Sequence, residues 1–294
     1  MILDAHQHVW DLERASYPWL GPELAPIDRT FGIDELAPTL DRLGIGGTVL
    51  VQAADNAEDT ELMLATAAAN PRVVGVVGWA PLDQPEVLEE RLESLRDIAA
   101  LVGIRNLTND RDAAWLSTPE VDRGLSALER ADLPLDYVAG SSSAIQVIPG
   151  VGERHPGLRI VLDHLGRPPI GADREEHAAW REGLAAVAAN PRTAAKLSGL
   201  YSTAGALGSW TVEGIRPFME DALELFGPRR LMFGGDWPIC LLAGGYERTW
   251  DAVTGLLEEL LDPAELADVL GGTAADFYRI DPARLRAAQG EGTA

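Results

Sequence analysis

Eight short apolar segments alternate with amphipathic helical segments along almost the whole chain, and this alternation constrains the fold most strongly. The apolar segments are largely continuous rather than alternating with polar residues, as in parallel strands that are buried on both faces. They occur at residues 2–8, 47–52, 73–79, 102–107, 134–138, 159–164, 193–198 and 230–235. The sequence therefore predicts eight parallel strands.

Helical segments lie between these strands. The clearest covers residues 85–100, where Leu88, Leu92, Leu95 and Ala99 form one apolar stripe at the spacing of an amphipathic helix. Further helices are predicted at residues 58–70, 119–131, 175–190, 214–226 and 249–260.

Such an alternation suits a closed (β/α)8 TIM-type barrel or an open doubly wound sheet. No glycine-rich phosphate-binding turn follows the first strand, although a dinucleotide-binding sheet would need one there. Polar residues also cluster after several different strands, where barrel enzymes build their sites. We therefore expect one barrel domain over residues 1–294, with a frayed tail at 288–294.

Composition limits the partners of the chain. The net charge of −22 disfavours nucleic acid and anionic membranes as partners. No apolar run approaches the roughly 20 residues of a membrane span, and no basic leader precedes the first strand. Cys240 is the single cysteine, which favours a reducing cytoplasm. The sequence is compatible with a homo-oligomer.

The first and last strands end in the residues with the most distinctive chemistry. His6 and His8 lie on the same face of the first strand, because alternate side chains of a strand point the same way. Asp236 follows the last strand, which is the neighbour of the first in a closed barrel. Two imidazoles and a carboxylate can bind a divalent metal or activate a water molecule. The alternative role for Asp236 is to cap the following helix.

Other strand ends add candidates for catalysis and substrate binding. His164 ends the sixth strand, where an imidazole can polarise a carbonyl group or orient water. We expect Lys196 to reach into the mouth of the barrel, because charged residues are rarely buried without a partner. The residues expected to contact a polar substrate are Gln52, Trp79, Arg105, Arg167, Lys196, Tyr201 and Trp237.

Three segments resemble the amidohydrolase superfamily and, within it, the amidohydrolase-2 group of sugar-lactone hydrolases. They are residues 4–10 (DAHQHVW), 163–168 (DHLGRP) and 235–243 (GDWPICLLA), the last followed by residues 246–248 (YER). The resemblance covers roughly residues 2–280 and implies a (β/α)8 fold and hydrolysis of lactones such as fucono-, rhamnono- or galactonolactone.

The resemblance also bears on metal content. Many superfamily members hold two metals with a carboxylated lysine or a glutamate on strand four and a histidine on strand five. Residues 104–107 (IRNL) and 134–138 (PLDYV) offer neither, so a binuclear centre is not expected. The group includes single-metal and metal-free enzymes. One divalent ion on His6, His8 and Asp236, with zinc favoured, and no metal at all both remain open.

These observations predict a lactonase in which Asp236 is the general base and His6, His8 and His164 polarise the lactone carbonyl. Two alternatives remain. One is a metal-dependent decarboxylase of an aromatic or unsaturated acid. Such enzymes use a similar cluster of histidine and aspartate at the end of the barrel. The other is a non-catalytic sugar-binding barrel, although simple binding does not need a base and an electrophile together.

Overall fold

The computed structural model describes residues 1–290. Eight parallel strands follow one another around the sheet in sequence order. This sequential order is typical of a barrel, whereas a doubly wound sheet reverses its strand order partway. The strands are β1 Ile2–Gln7, β2 Ile45–Val51, β3 Val73–Gly78, β4 Leu101–Asn106, β5 Leu135–Tyr137, β6 Ile160–Leu162, β7 Thr193–Leu197 and β8 Leu231–Phe233.

Every predicted strand is present, and each ends earlier than predicted, β6 and β8 by two residues and the other six by one. The backbone turns into the left-handed region at His164, with φ of 54°, and at Asp236, with φ of 53°. A strand cannot continue through such a residue. His164 after β6 and Asp236 after β8 therefore each lie in a sharp turn rather than at the end of a regular strand.

Strands β1 and β8 close the sheet through a few specific bonds. The backbone N–H of Asp236 donates to the carbonyl oxygen of His6 at 2.8 Å, and the N–H of His8 donates to that of Trp237 at 2.7 Å. Gln7 and Trp237 form an isolated parallel bridge. The sheet is thus a nearly closed (β/α)8 TIM-type barrel, and the predicted fold class is confirmed.

Eight helices follow the eight strands and surround the barrel. Six of them match predicted helices, although α3 ends five residues before the predicted end because residues 96–100 turn into β4. Helices α1 and α5 were not predicted, since Pro38 and Pro149 interrupt the helical pattern. The helices are α1 Ile33–Leu43, α2 Ala57–Ala69, α3 Pro85–Leu95, α4 Pro119–Ala131, α5 Ile148–Arg154, α6 Arg174–Ala188, α7 Val212–Phe226 and α8 Tyr246–Leu260.

Polar side chains start several of these helices. The side chain of Asn56 accepts a hydrogen bond from the N–H of Asp59 at 2.9 Å, and Thr211 accepts one from Gly214 at 3.1 Å. Such caps satisfy N–H groups that have no partner inside a helix. No helix in residues 1–290 is long and apolar enough to cross a membrane.

The C-terminal plug, residues 263–288, covers the amino-terminal end of the barrel. It contains helices α9 Pro263–Ala267, α10 Thr273–Phe277 and α11 Pro282–Ala288. The side chain of Arg284 donates to the carbonyl oxygens of Val73 and Val74, where β3 begins. Of the predicted frayed tail, Ala288 ends α11, and residues 291–294 lie outside the described residues.

The core has two layers. The inner layer fills the barrel with aliphatic side chains from the strands and with Tyr278 and Ile280, which enter from the C-terminal plug. The outer layer packs the other faces of the strands against the helices. Burial on both faces explains why the strand segments are continuously apolar.

Two helical glycines should respond oppositely to alanine. A Cβ atom at Gly124 would lie 2.3 Å from the backbone oxygen of Leu82, whereas a Cβ at Gly255 meets nothing within 4 Å. We expect G124A to lower the free energy of unfolding by about 1–3 kcal/mol through overpacking. G255A should raise it by about 0.5–1 kcal/mol by removing glycine from a helix interior. Urea denaturation of both variants measures this contrast, and equal shifts would contradict it.

Candidate active site

The carboxyl-terminal end of the barrel brings His6, His8 and Asp236 together. The Nε2 atoms of His8 and His6 lie 3.4 Å and 3.8 Å from Oδ1 of Asp236, respectively. All three side chains are at most 5% exposed. The structure therefore places the residues from the two ends of the sequence in one buried cluster.

Two glycines allow β8 to approach β1 closely enough for this cluster. A Cβ atom at Gly234 would lie 2.6 Å from Cβ of His6, and one at Gly235 would lie 2.1 Å from Cε2 of Tyr246. A side chain at Gly234 would push the chain after β8 away from β1, and one at Gly235 would displace the ring of Tyr246. The turn then places Asp236 in the left-handed region, with its carboxylate facing the imidazoles.

Asp4 joins the two sides of the site. Its Oδ1 accepts hydrogen bonds from the backbone N–H groups of His6 and Gly235 at 2.9 and 3.0 Å. Its Oδ2 accepts from the side chains of Gln7 and Tyr246 at 2.7 and 2.6 Å. Burial raises the pKa of Asp4, and these four donors act against that increase. Asp4 was not predicted as a site residue, although a charge inside an apolar strand is a usable signal.

Opposing effects set the protonation states in the cluster. Burial acts to raise the pKa of Asp236, but His164, His8 and His6 outweigh it and lower that pKa to about 2. Burial lowers the pKa of His6 well below its usual value and also lowers the pKa of His164. At neutral pH these two rings are therefore neutral. The imidazoles lower the pKa of Asp236 by charge only while they are protonated. With neutral rings, burial acts on Asp236 unopposed, and its ionised form needs another positive charge beside it.

The tautomer of His8 follows from one contact. Its Nδ1 lies 2.7 Å from the carbonyl oxygen of Val51, and because a carbonyl oxygen only accepts, Nδ1 must carry the hydrogen. In the neutral ring the lone pair of Nε2 then faces Oδ1 of Asp236. Two acceptors at 3.4 Å repel each other unless a proton or a cation lies between them.

His6 can complete a metal-binding set. Its Nδ1 lies 3.3 Å from Oδ1 of Asp163 and 3.2 Å from Nζ of Lys196. When Nδ1 donates to Asp163, the lone pair of Nε2 also faces Asp236. The candidate ligand atoms of His6, His8 and Asp236 lie within 4.8 Å of one another. Two imidazoles and a carboxylate, each oriented by an outer partner, fit a zinc ion.

His164 lies next to this cluster on a tight loop. Its own backbone is left-handed, and its Nδ1 lies 2.9 Å from the hydroxyl oxygen of Ser198. A Cβ atom at Gly199 would lie 2.5 Å from that same Nδ1. The strand end of β7 therefore holds the ring from two sides. Its centroid is 4.6 Å from that of His6.

A cavity of about 410 Å³ opens above the cluster, and its lining includes His164, Asp236, Tyr201 and Arg167. The hydroxyl of Tyr201 is buried and makes no hydrogen bond within residues 1–290. Burial and the nearby charge of Asp236 raise the pKa of Tyr201 well above its usual value, so the hydroxyl remains a donor. Arg167 is exposed at the rim, and one of its N–H groups donates to the carbonyl of Gly140.

Lys196 does not reach into the mouth as predicted. Its side chain is 0% exposed, and Nζ lies 2.6 Å from Oδ2 of Asp136 and 3.0 Å from Oδ1 of Asp163. Arg105 is 4% exposed and donates to Oδ2 of Asp163 at 3.0 Å. Both cations were expected to hold substrate, but the buried carboxylates of Asp136 and Asp163 pair with them instead. Neither Lys196 nor Arg105 is among the residues that line the cavity.

The remaining predicted contacts also lie outside the cavity lining. Gln52 is buried, and its side-chain nitrogen donates to the carbonyl of Arg105 at 3.1 Å. Trp237 is 3% exposed and packs edge-on against Phe31, with ring centroids 5.3 Å apart. Trp79 is partly buried, and its indole nitrogen makes no hydrogen bond within the described residues.

Removing single hydroxyl groups tests how the site is held together. Y246F should lower the free energy of unfolding by about 1–3 kcal/mol, because it removes a donor from buried Asp4. Y201F should leave stability unchanged or raise it slightly, since its buried hydroxyl has no partner in residues 1–290 and an unpaired buried donor is unfavourable. Chemical denaturation measures both. An equal loss in the two variants would show that Asp4 does not depend on Tyr246.

Comparison with known proteins agrees with this geometry. The L-fucono-1,5-lactonase of Burkholderia multivorans is 34% identical over 293 residues, covering 97% of this chain and 98% of the relative. That of Burkholderia ambifaria is 34% identical over 283 residues, covering 95% and 96%. A crystal structure of an amidohydrolase from Burkholderia multivorans with bound zinc has a TM-score of 0.89 at 33% identity, covering 96% of this chain and all of that one.

The family model for amidohydrolases designated Amidohydro_2 matches residues 3–280. Almost the whole barrel, including both ends of the histidine–aspartate cluster, falls within that match. The chain therefore belongs to the Amidohydro_2 family of amidohydrolases and is an amidohydrolase-type enzyme.

Proposed function

We propose that this enzyme hydrolyses a sugar lactone to the corresponding aldonic acid, with Asp236 as the general base. The observation that carries the proposal is the carboxylate of Asp236 at the base of a cavity, close to His6, His8 and His164. A lactone is an ester, and its hydrolysis needs a base for water and hydrogen-bond donors for the oxyanion. The names of the two lactonase relatives support this substrate class.

The reaction needs one proton to move twice. Asp236 accepts a proton from water while the water oxygen forms a bond to the lactone carbonyl carbon. The resulting tetrahedral oxyanion then collapses, the bond from the carbonyl carbon to the ring oxygen breaks, and Asp236 returns the proton to that oxygen. The products are one carboxyl group and one hydroxyl group, so a lactone and a water molecule are fully accounted for.

The neutral histidines act as hydrogen-bonding groups. If the hydroxyl of Ser198 donates to Nδ1 of His164, the hydrogen of that ring is on Nε2, from which it can donate to the oxyanion. Protonated imidazoles are not required for this role, and the lowered pKa values of His6 and His164 disfavour them at neutral pH.

A divalent ion also fits the cluster. His6 and His8 would hold it through Nε2 and Asp236 through Oδ1, the atoms that face one another. When bound, such an ion supplies Lewis acidity and lowers the pKa of a bound water molecule. The buried carboxylate would then have the positive charge that its position needs.

The cavity suits a small polar ring. Its volume of about 410 Å³ falls within the range of about 300–1,000 Å³ in which proteins bind small molecules. The free hydroxyl of Tyr201 points to a hydrogen bond with a substrate hydroxyl, because a buried donor without a partner is costly. The guanidinium of Arg167 at the rim can bind a further hydroxyl.

Replacement of the base gives the main test. D236N should fold normally and lower kcat by about 10²- to 10⁴-fold, the usual contribution of general acid–base catalysis. The measurement is a pH-indicator assay across a panel of aldonolactones. D122N is the matched control, because Asp122 also contacts a histidine, His155, at 3.0 Å but far from the cavity. Near-native turnover in D236N would exclude Asp236 as the base.

The same assay separates the two alternatives. A decarboxylase would release carbon dioxide from an aromatic or unsaturated acid and leave every lactone unchanged. A sugar-binding barrel would bind lactones, as measured by calorimetry, without producing acid. Either result in the wild-type protein would overturn the proposed activity.

Metal removal tests the divalent ion. Treatment with a chelator should lower lactone turnover, and added zinc should restore it. Zinc should also raise the melting temperature of the chelated wild type by mass action, and this increase should be much smaller in H8Q. Full turnover without metal, together with no zinc-dependent change in melting temperature, would remove the ion from the proposal.

A further inference from the structure

We propose that Tyr278 in the C-terminal plug is a positioning residue for the active site at the opposite end of the barrel. It acts through Asp136 and Lys196 on the ring of His6. The inference rests on the proposed function for its kinetic readout, but its structural readout is independent of any substrate.

Tyr278 reaches the interior of the barrel from below. It is 2% exposed and belongs to the inner core layer, together with side chains from the strands. The plug that carries it lies against the start of β1, because a Cβ at Gly271 would lie 2.4 Å from the carbonyl oxygen of Met1. Tyr278 therefore enters the barrel interior from the end that lies away from the cavity.

A continuous series of polar contacts connects this hydroxyl to the site. Tyr278 donates to Oδ2 of Asp136 at 2.6 Å, and Nζ of Lys196 lies 2.6 Å from the same oxygen. Lys196 also lies 3.0 Å from Oδ1 of Asp163 and 3.2 Å from Nδ1 of His6. The contacts of Nζ with Asp136 and His6 are within hydrogen-bonding geometry, and the contact with Asp163 is an ion pair.

The hydroxyl of Tyr278 restrains the first member of the series. Oδ1 of Asp136 has no hydrogen-bond partner within residues 1–290, so this carboxylate is held only through Oδ2. Without the hydroxyl, Lys196 alone would hold Asp136, and the carboxylate could rotate. Lys196 would then be free to shift between Asp136, Asp163 and His6.

The position of Lys196 matters because it determines which ring nitrogen of His6 carries the hydrogen. Nδ1 of His6 can donate to Asp163 or accept from Lys196, at nearly equal distances of 3.3 and 3.2 Å. The first choice leaves a lone pair on Nε2, which a metal ion would require and which Nη1 of Arg105, 3.5 Å away, also faces. The second leaves an N–H on Nε2 facing Asp236 and excludes a metal ion at that atom. A firm hold on Lys196 therefore selects one tautomer of a ring that faces the catalytic base.

The Y278F substitution removes only the hydroxyl group and so isolates its effect. The aromatic ring stays in the core and remains available to Nζ of Lys196, which lies 5.5 Å from its centroid. Y137F is the matched control, since Tyr137 is equally buried and neighbours Asp136 in sequence. Its hydroxyl donates to the carbonyl of Ala144 at 3.1 Å and has no link to the series.

The experiment combines kinetics with histidine NMR of the full-length protein. We expect Y278F to lower kcat about tenfold, as outer partners of site histidines commonly do, with KM unchanged. In protein labelled with ¹⁵N-histidine, the ring signals of His6 should move while those of His155 and His177 stay in place. Y137F should change neither kcat nor the His6 signals, even if both variants lose similar stability.

A double variant tests whether the residues act in series. D136N should lower kcat at least as much as Y278F, and the double variant should be no worse than D136N alone, because linked residues are not additive. Multiplying effects would overturn the proposal. Unchanged His6 signals in folded Y278F would also overturn it, whatever the kinetics.

Failure of the proposed lactonase activity can be distinguished from failure of the role proposed for Tyr278. If the wild type hydrolyses no lactone, the kinetic measurement is lost, but the His6 signals still report the effect of Tyr278. Should Y278F be too unstable for NMR at the assay temperature, D136N gives the same spectrum-based test from the next position in the series. An unchanged His6 there overturns the inference as well.

Discussion

A buried carboxylate between the first and last strands supports the rest of the site. Asp4 binds a backbone N–H on β1 and another on the turn after β8, and its other oxygen is held by two side chains. Only a few other bonds close the barrel at this point. The distance between the histidines and Asp236 therefore depends on one side chain whose own burial is unfavourable without all of its donors.

The interior of the barrel is unusual in combining an aliphatic layer with a charged one. Lys196 and Arg105 lie opposite Asp136 and Asp163, so two cations balance two carboxylates between the inner core and the cavity. Burial raises the pKa of Asp136 to about 6, against the effect of Lys196. Such a layer contributes little net stability, but it places hydrogen-bonding groups behind the site with little freedom to move.

Much of this arrangement could be predicted from sequence because it depends on strand order. The ends of parallel strands share one edge, so His6 and Asp236 had to meet once the barrel closed. The partners of Lys196 could not be predicted in this way. Whether a cation faces the cavity or a carboxylate such as Asp136 depends on its depth along the barrel, which the stagger of neighbouring strands determines. Helix α1 was missed because Pro38 obscures its pattern.

The position of Tyr278 after the eighth strand has a consequence for biosynthesis. A chain leaves the ribosome amino terminus first, so His6 emerges long before the C-terminal plug. Until the plug is in place, Lys196 lacks one of the groups that hold its partner Asp136. The histidines of β1 are thus made well before the residue that supports one of them from below, and a barrel without the plug would lack that support.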